Sequence, residues 1–312
     1  MILTVTLNAS VDKLYLVDRM EPGTVMRVKR VVNTAGGKGL NVSRVASAAG
    51  EQVLATGFIG GFAGEYIRAM LARDGIQARF VKIDGETRSC VNVADLSTGK
   101  HTEFLEPGAQ VSAAKQEEFL EDYRTLLPGC SVAVLSGSLP GGVAPDFYGR
   151  LIALAKEQGK KVILDTSGEA LKRGIAFHPD LIKPNADEIR QLVRLPDGST
   201  ESLARAASQL YRSGIGTVVV SLGKKGSLAA GKEGVFLSDT PYVEVVNTVG
   251  CGDSMVAGFA VGFSRGYSFA ETLRFGVAAS AANAATLATG SVRPEDLKRL
   301  RPLVNIRRLG DS

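Results

Sequence analysis

The stretch Asn247-Thr248-Val249-Gly250-Cys251-Gly252-Asp253-Ser254-Met255-Val256-Ala257-Gly258-Phe259 is the most informative part of this chain. Two glycines flank a small residue, an acid follows, and an apolar pattern at helical spacing then begins with Val256, Phe259, Ala260 and Phe263. A glycine-rich turn that opens a helix leaves several backbone N–H groups unpaired and pointing one way. The helix dipole adds partial positive charge there, so the turn suits a phosphate or a developing oxyanion. An acid in that nest can remove a proton while the amides hold negative charge. Read alone, Asp253 also suits an ordinary helix cap, and the surrounding sequence has to decide.

Outward from this turn, short β-branched runs alternate with helical patterns. Strands are predicted over 2–7, 53–58, 132–136, 161–165, 180–183 and 217–221, and helices over 41–49, 65–73, 113–127 and 145–158. Continuous apolar strands separated by helices imply an α/β fold with a mainly parallel sheet covered on both faces. Function is then expected at the carboxyl ends of the strands. Two stretches, near 12–35 and 86–106, instead show polar/apolar alternation with no helix between their halves. They are expected to form a small β lid on a single domain spanning 1–312, the alternative being two plain surface hairpins.

The net charge of +5 is mild for 312 residues, and no basic run or interleaved aromatic stripe appears. Nucleic acid is therefore a poor partner, and an anionic small molecule a better one. Cys90, Cys130 and Cys251 show no CxxC spacing, and with only His101 and His178 a zinc site is not expected. Reduced thiols point to a cytoplasmic protein. The first eight residues lack a basic, then apolar, leader pattern. No run reaches the ~18 uninterrupted apolar residues of a membrane span, so no membrane partner is expected.

A second glycine cluster, Gly36-Gly37-Lys38-Gly39-Leu40-Asn41, also opens a predicted helix. It allows close backbone approach to a ligand, and Asn41 offers a donor and an acceptor suited to a hydroxyl. It is not a Walker A loop, because no Lys-Ser/Thr pair follows a GxxxxG spacing. This cluster, continued through Ser43, Gly50 and Gly60, resembles the first signature of the PfkB, or ribokinase-like, carbohydrate kinase family. Residues 247–259 resemble the second signature at every defined position, and the likeness runs from the first strand to the last helix. The fold so implied is a ribokinase-like three-layer sandwich with a mainly parallel central sheet and a small β-sheet lid.

The resemblance implies ATP and Mg2+ as cofactors and leaves a monovalent cation open. It casts Asp253 as the base that deprotonates the acceptor hydroxyl, with the amides of Gly250, Cys251 and Gly252 as the anion hole. It assigns Lys183, Asn185 and Glu188 to the element that organises Mg2+ and phosphates, Glu188 through water. Alone, Asn185 and Glu188 also suit a helix-capping pair. Ser221, Gly223 and Gly226 resemble the nucleotide loop, and Asn283 lies where the family covers the adenine.

For the sugar, Asp12 and Asn41 resemble the hydroxyl-binding pair, with Gly37 and Lys38 in the same loop as Asn41. Arg27 and Arg88 in the lid segments, together with Lys38, supply the cations that an already phosphorylated hexose requires. The loop form resembles the tagatose-6-phosphate kinase and 1-phosphofructokinase branch, and the run Glu86-Thr87-Arg88-Ser89-Cys90-Val91 and the segment with Thr289-Gly290-Ser291-Val292 are more similar to its tagatose-6-phosphate kinases. Ala9 stands where that branch usually has proline, and Cys251 where it usually has alanine or serine. The expected activity is ATP-dependent phosphorylation of a ketohexose monophosphate to the bisphosphate. A kinase for a plain sugar or nucleoside, and an inactive sugar-phosphate-binding regulator, are the alternatives. A homodimer through the lid is compatible with the family and is left open.

Overall fold

The computed structural model describes residues 1–310. Strand β1 (Ile2–Thr6) is buried at every position, as a strand covered on both faces must be. Two strands, β2 (Ser10–Val17) and β3 (Arg30–Gly36), leave the main body before α1 (Lys38–Ala48) returns to it. The alternation continues with β4 (Val53–Ile59), α2 (Gly61–Arg73) and β5 (Gln77–Lys82). A second excursion, β6 (Arg88–Asp95) and β7 (Lys100–Leu105), precedes α3 (Ala113–Leu126), β8 (Val132–Ser136), α4 (Phe147–Glu157) and β9 (Lys161–Asp165). Then come α5 (Gly168–Gly174), β10 (Leu181–Ile182), α6 (Ala186–Leu192), α7 (Thr200–Arg212) and β11 (Val218–Ser221). The remaining elements are β12 (Ser227–Gly231), β13 (Gly234–Ser238), α8 (Cys251–Ser264), α9 (Phe269–Ala284), α10 (Pro294–Leu300) and β14 (Ile306–Arg308).

Ten strands form one sheet in the order β14-β13-β12-β11-β10-β9-β8-β1-β4-β5. The strands from β11 to β5 run parallel, and β12, β13 and β14 add an antiparallel edge. Side chains alternate between two cores. On β8, Val132 and Val134 join α1, α8 and α9, while Ala133 and Leu135 join α3, α4 and α7. Each such burial contributes roughly 1.5–3 kcal/mol for a Val or Leu, which holds three layers in register and fixes which strand ends face the same cleft.

The two alternating stretches join into one four-stranded sheet, β3-β2-β6-β7, rather than two separate hairpins. The parallel pairing of β2 with β6 sets Ser10 opposite Arg88 and Asp12 opposite Cys90, so both halves of this small sheet present polar groups in one row. The helix predicted over 41–49 begins earlier, at Lys38, because Gly37 already serves as its N-cap. The strand predicted over 180–183 shrinks to Leu181–Ile182, since Pro184 has no N–H to donate to a ladder and pairing resumes beyond it only as an isolated bridge between Asn185 and Ser221. No helix among the described residues is long and apolar enough to cross a membrane.

Candidate active site

The turn before α8 is built around Gly250, whose φ of 82° is left-handed. A methyl group there would also meet Gly290 N and Thr289 Cγ2 at 2.8 Å. Asn247 braces the turn, donating from Nδ2 to the Leu287 carbonyl at 2.9 Å and accepting from Val249 N–H at 3.0 Å. Asn283 braces it from α9, donating to the Val249 carbonyl at 2.9 Å and accepting from Ser291 N–H at 3.2 Å. With 0% of its surface exposed, Asn283 has no face for a base, so the adenine contact expected of it is corrected to a bracing role. The anion hole also differs from expectation. The Cys251 amide turns back to the Thr248 carbonyl at 3.3 Å, while among the described residues the amides of Gly250 and Gly252, as expected, and of Asp253 in addition, have no acceptor.

Asp253 lies in the first turn of α8 and is 8% exposed. Its Oδ2 accepts from Asn41 Nδ2 at 2.7 Å. The orientation of that amide is settled by Arg44, which donates to Asn41 Oδ1 at 2.5 Å. A guanidinium has no acceptor, so it must face the amide oxygen, which leaves the NH2 group for Asp253. Arg44 also donates to the carbonyls of Ala35, Thr289 and Gly290, tying α1 to β3 and to the 289–290 loop. Asn41, expected on a sugar hydroxyl, therefore also orients the acid. Burial pushes the Asp253 carboxyl above the usual range; Lys38 opposes this and Asp165 adds to it.

Lys38 leaves the start of α1 and reaches Asp165 at the end of β9, with Nζ 3.2 Å from Oδ2. Lys183 reaches the other oxygen of the same carboxylate at 3.5 Å. A methyl group on Gly252 would sit 3.3 Å from Lys183 Nζ, so this ammonium lies directly beneath the anion turn. Lys38, expected to join Arg27 and Arg88 on the acceptor's phosphate, is thus tied to Asp165 and lies near enough to Asp253 to act on its carboxyl.

The cleft in front of Asp253 has a volume of about 400 Å3 and is lined by Gly37, Lys38, Asn41, Asp12 and Arg88 among others. Asp12 accepts from the Ser10 hydroxyl at 2.6 Å. Burial raises its carboxyl, with Ser10, Arg44 and Arg88 pulling the other way. Ala9 is buried in the core, and Asp12 still lines the cleft without a proline before it. Arg88 donates to the Asn8 carbonyl at 3.0 and 3.2 Å and to the Glu106 carbonyl at 2.9 Å. It has no carboxylate within ion-pair distance among the described residues, which leaves part of its donor fork free. Arg27 is not brought here: it lies in the exposed loop between β2 and β3 and is not among the residues lining the cleft.

Gly36 is required by proximity, since a methyl group there would fall 2.1 Å from Asp12 Cγ. Gly36→Ala is expected to displace Asp12 at an overpacking cost of about 1–3 kcal/mol. Steady-state kinetics should show the KM for the acceptor rising roughly tenfold with the KM for ATP unchanged.

The nucleotide-side residues assemble against one another. Ser221 N–H donates to the Pro184 carbonyl at 3.1 Å, and Ser221 bridges to Asn185. Gly223 and Gly226 frame the short turn that leads from β11 to β12. Asn185 caps α6 and forms a capping box in which Glu188 Oε2 accepts from Asn185 N–H at 2.8 Å. One Glu188 oxygen stays free, and among the described residues no group of three potential ligands could hold a metal. A single carboxylate oxygen fits Mg2+ held mainly by waters and phosphates. The sequence reading missed Asp165 and Arg44. Arg44 carried a signal, three residues after Asn41 on one helix face; Asp165 carried only its place at a strand end.

The sequence profile of the pfkB family carbohydrate kinases matches residues 4–296. The tagatose-6-phosphate kinase of Staphylococcus epidermidis is 41% identical over 298 residues, covering 95% of this chain and 96% of that one. The phosphofructokinase-2 of Escherichia coli, crystallised with potassium, superposes with a TM-score of 0.90 at 32% identity, covering 97% and 98% of the two chains. A protein described as a possible 1-phosphofructokinase from Thermotoga maritima gives a TM-score of 0.90 at 28% identity over 99% of each chain.

Proposed function

The chain belongs to the pfkB family of carbohydrate kinases, and from that premise we propose that it transfers the terminal phosphoryl group of ATP to a ketohexose monophosphate. It is a phosphohexose kinase, and tagatose 6-phosphate is the first acceptor to consider because the 41% identical relatives carry that name. One observation carries the reading: the buried acid Asp253 and the carboxylate-free Arg88 line the same cleft. An acceptor that spans the two places a free hydroxymethyl at the acid and an existing phosphate at the guanidinium.

In this reading Asp253 takes the hydroxyl proton while Asn41, held by Arg44, keeps the carboxylate aimed at the acceptor. The free amides of Gly250, Gly252 and Asp253 and the ammoniums of Lys38 and Lys183 meet the negative charge that spreads over the moving phosphoryl group. Asp12 orients the sugar, and Arg88 holds the far phosphate. Bound Mg2+ would neutralise charge on the nucleotide phosphates, with Glu188 contacting it through water and Asn185, Ser221, Gly223 and Gly226 framing the nucleotide. Closure of the lid would exclude water as a competing acceptor.

The exposed Val25, Val31, Phe104 and Leu105 of the lid suit a second copy of the chain, and Arg27 lies in the same exposed region. A homodimer through the lid is part of the reading. Free cysteines suit the cytoplasmic setting. A potassium-bound relative motivates including a monovalent cation in the assay.

The test is a panel of phosphorylated and plain hexoses assayed by ADP release with ATP, Mg2+ and K+. Ketohexose monophosphates should be turned over at kcat/KM values about 10- to 100-fold above fructose, the worth of one charged hydrogen-bonded contact. Equal or better turnover of fructose would contradict the assignment.

A further inference from the structure

Three charged side chains from separate elements meet beneath the catalytic turn: Lys38 at the start of α1, Asp165 at the end of β9, and Lys183 just after β10. Asp165 is 2% exposed, and each of its oxygens takes one ammonium, Lys38 at 3.2 Å on Oδ2 and Lys183 at 3.5 Å on Oδ1. Neither lysine has another carboxylate in ion-pair reach among the described residues. The two lysines face different sides of the turn. Lys38 lines the acceptor cleft with Asp253, whereas Lys183 sits under Gly252 and leads through Pro184 to Asn185.

Two ammoniums so close would repel one another and swing apart without a shared counter-charge. Long lysine side chains also carry about 2 kcal/mol of rotamer entropy that a fixed partner removes. Catalysis of phosphoryl transfer rests on charges already in place when negative charge develops. We propose that Asp165 is a positioning residue for phosphoryl transfer, a bracket that holds Lys38 on the acceptor side and Lys183 on the nucleotide side of the moving group. This rests on the reading of the site as a kinase.

The electrostatics agree with the bracket. Burial alone would raise the Asp165 carboxyl, but Lys183 and Lys38 overcome it and hold the group below the usual carboxylate range. Lys38 is held above its usual range, first by Asp165 and against burial, with Asp253 and Glu188 adding to the effect. Lys183, from the segment after β10, is the cation that faces it. With Asp165 neutralised, Lys38 loses its largest support and would release its proton at lower pH.

The experiment compares Asp165→Asn, Lys38→Met/Lys183→Met and the triple variant in kcat, both KM values and Mg2+ requirement. Asp165→Asn should lower kcat about a hundredfold while moving either KM less than about threefold. It should also acquire an alkaline fall in kcat that the wild type lacks. In the double-lysine background the same substitution should change kcat less than about twofold, because its action runs through the lysines. An undiminished loss in that background, or a shifted Mg2+ requirement that persists there, would overturn the proposal in favour of direct contact with substrate or metal. Should Asp165→Asn fail to fold, Lys183→Met is compared with Lys183→Met/Asp165→Asn, which restores the charge balance. A further loss of about tenfold in kcat is expected from the unpinned Lys38, and no further loss would overturn the proposal. The ratios are read with whichever acceptor the wild type turns over, so failure of the phosphohexose reading leaves this test standing.

Discussion

Asp253→Asn is expected to bind both substrates at near wild-type affinity and to lose about a thousandfold in kcat, within the 10²–10⁴ typical of a positioned general base. The substitution keeps the size and most of the contacts of the side chain but removes the basic lone pair. The pH profile separates this role from a structural one. Asp253 must be ionised to act, and burial raises its pKa, so wild-type kcat should fall as pH drops through that raised value, and the residual activity of the variant should not follow that limb. Stability carries the opposite sign. A carboxyl with a raised folded-state pKa destabilises the ionised fold above that pKa, so at neutral pH the variant should melt at or above the wild-type temperature. That advantage should shrink as the pH is lowered and the wild-type acid takes up its proton. Near-normal turnover in the variant would discard Asp253 as the base.

Arg88→Ala should raise the KM for a phosphorylated acceptor by about 10- to 100-fold, the cost of losing a charge-assisted contact of roughly 1.5–3 kcal/mol, while the KM for ATP changes less than about twofold. The guanidinium also fastens the β1–β2 connection to the end of β7 through the carbonyls of Asn8 and Glu106, so an effect on lid order is anticipated as well. Two controls divide these contributions. Arg88→Lys keeps the charge and loses the fork, and should recover part of the affinity. Activity on unphosphorylated fructose, measured with the same variants, should respond much less because no phosphate is left to hold. An equal rise in both KM values would count against a phosphate contact at Arg88.

Much of this site could be read from residue order because its chemistry is local. The turn at 247–253 and the loop at 36–41 each open a helix, so spacing alone places their amides and their acid. The parallel strands were legible for a similar reason: β1, β8 and β9 are short apolar runs between helical patterns. The antiparallel edge was not. The residues of β12, Ser-Leu-Ala-Ala-Gly, have little β-branched character and form a strand because tertiary packing outweighs weak propensity. Helix α9 is buried along most of its length and lacks a polar stripe to mark its period.

Asp165 escaped detection because its meaning is tertiary. Lys38 comes from 127 residues away, and only the register of the sheet brings both lysines to one carboxylate. Asn283 was misjudged for the same reason. Its position near the site was legible, but its full burial, and hence its bracing of the Val249 and Ser291 backbone, was not. Arg27 shows the converse: a cation in a matched segment can still lie in an exposed loop outside the cleft.

The most direct measurement is phosphorus NMR of the enzyme with ATP, Mg2+ and a ketohexose monophosphate such as tagatose 6-phosphate. A hydroxyl activated beside Asp253, in a cleft whose far end holds a phosphate, predicts a second phosphomonoester resonance on the sugar in one-to-one proportion with ADP. ADP accompanied only by inorganic phosphate, or a sugar that keeps a single phosphorus signal while plain fructose gains one, would contradict it.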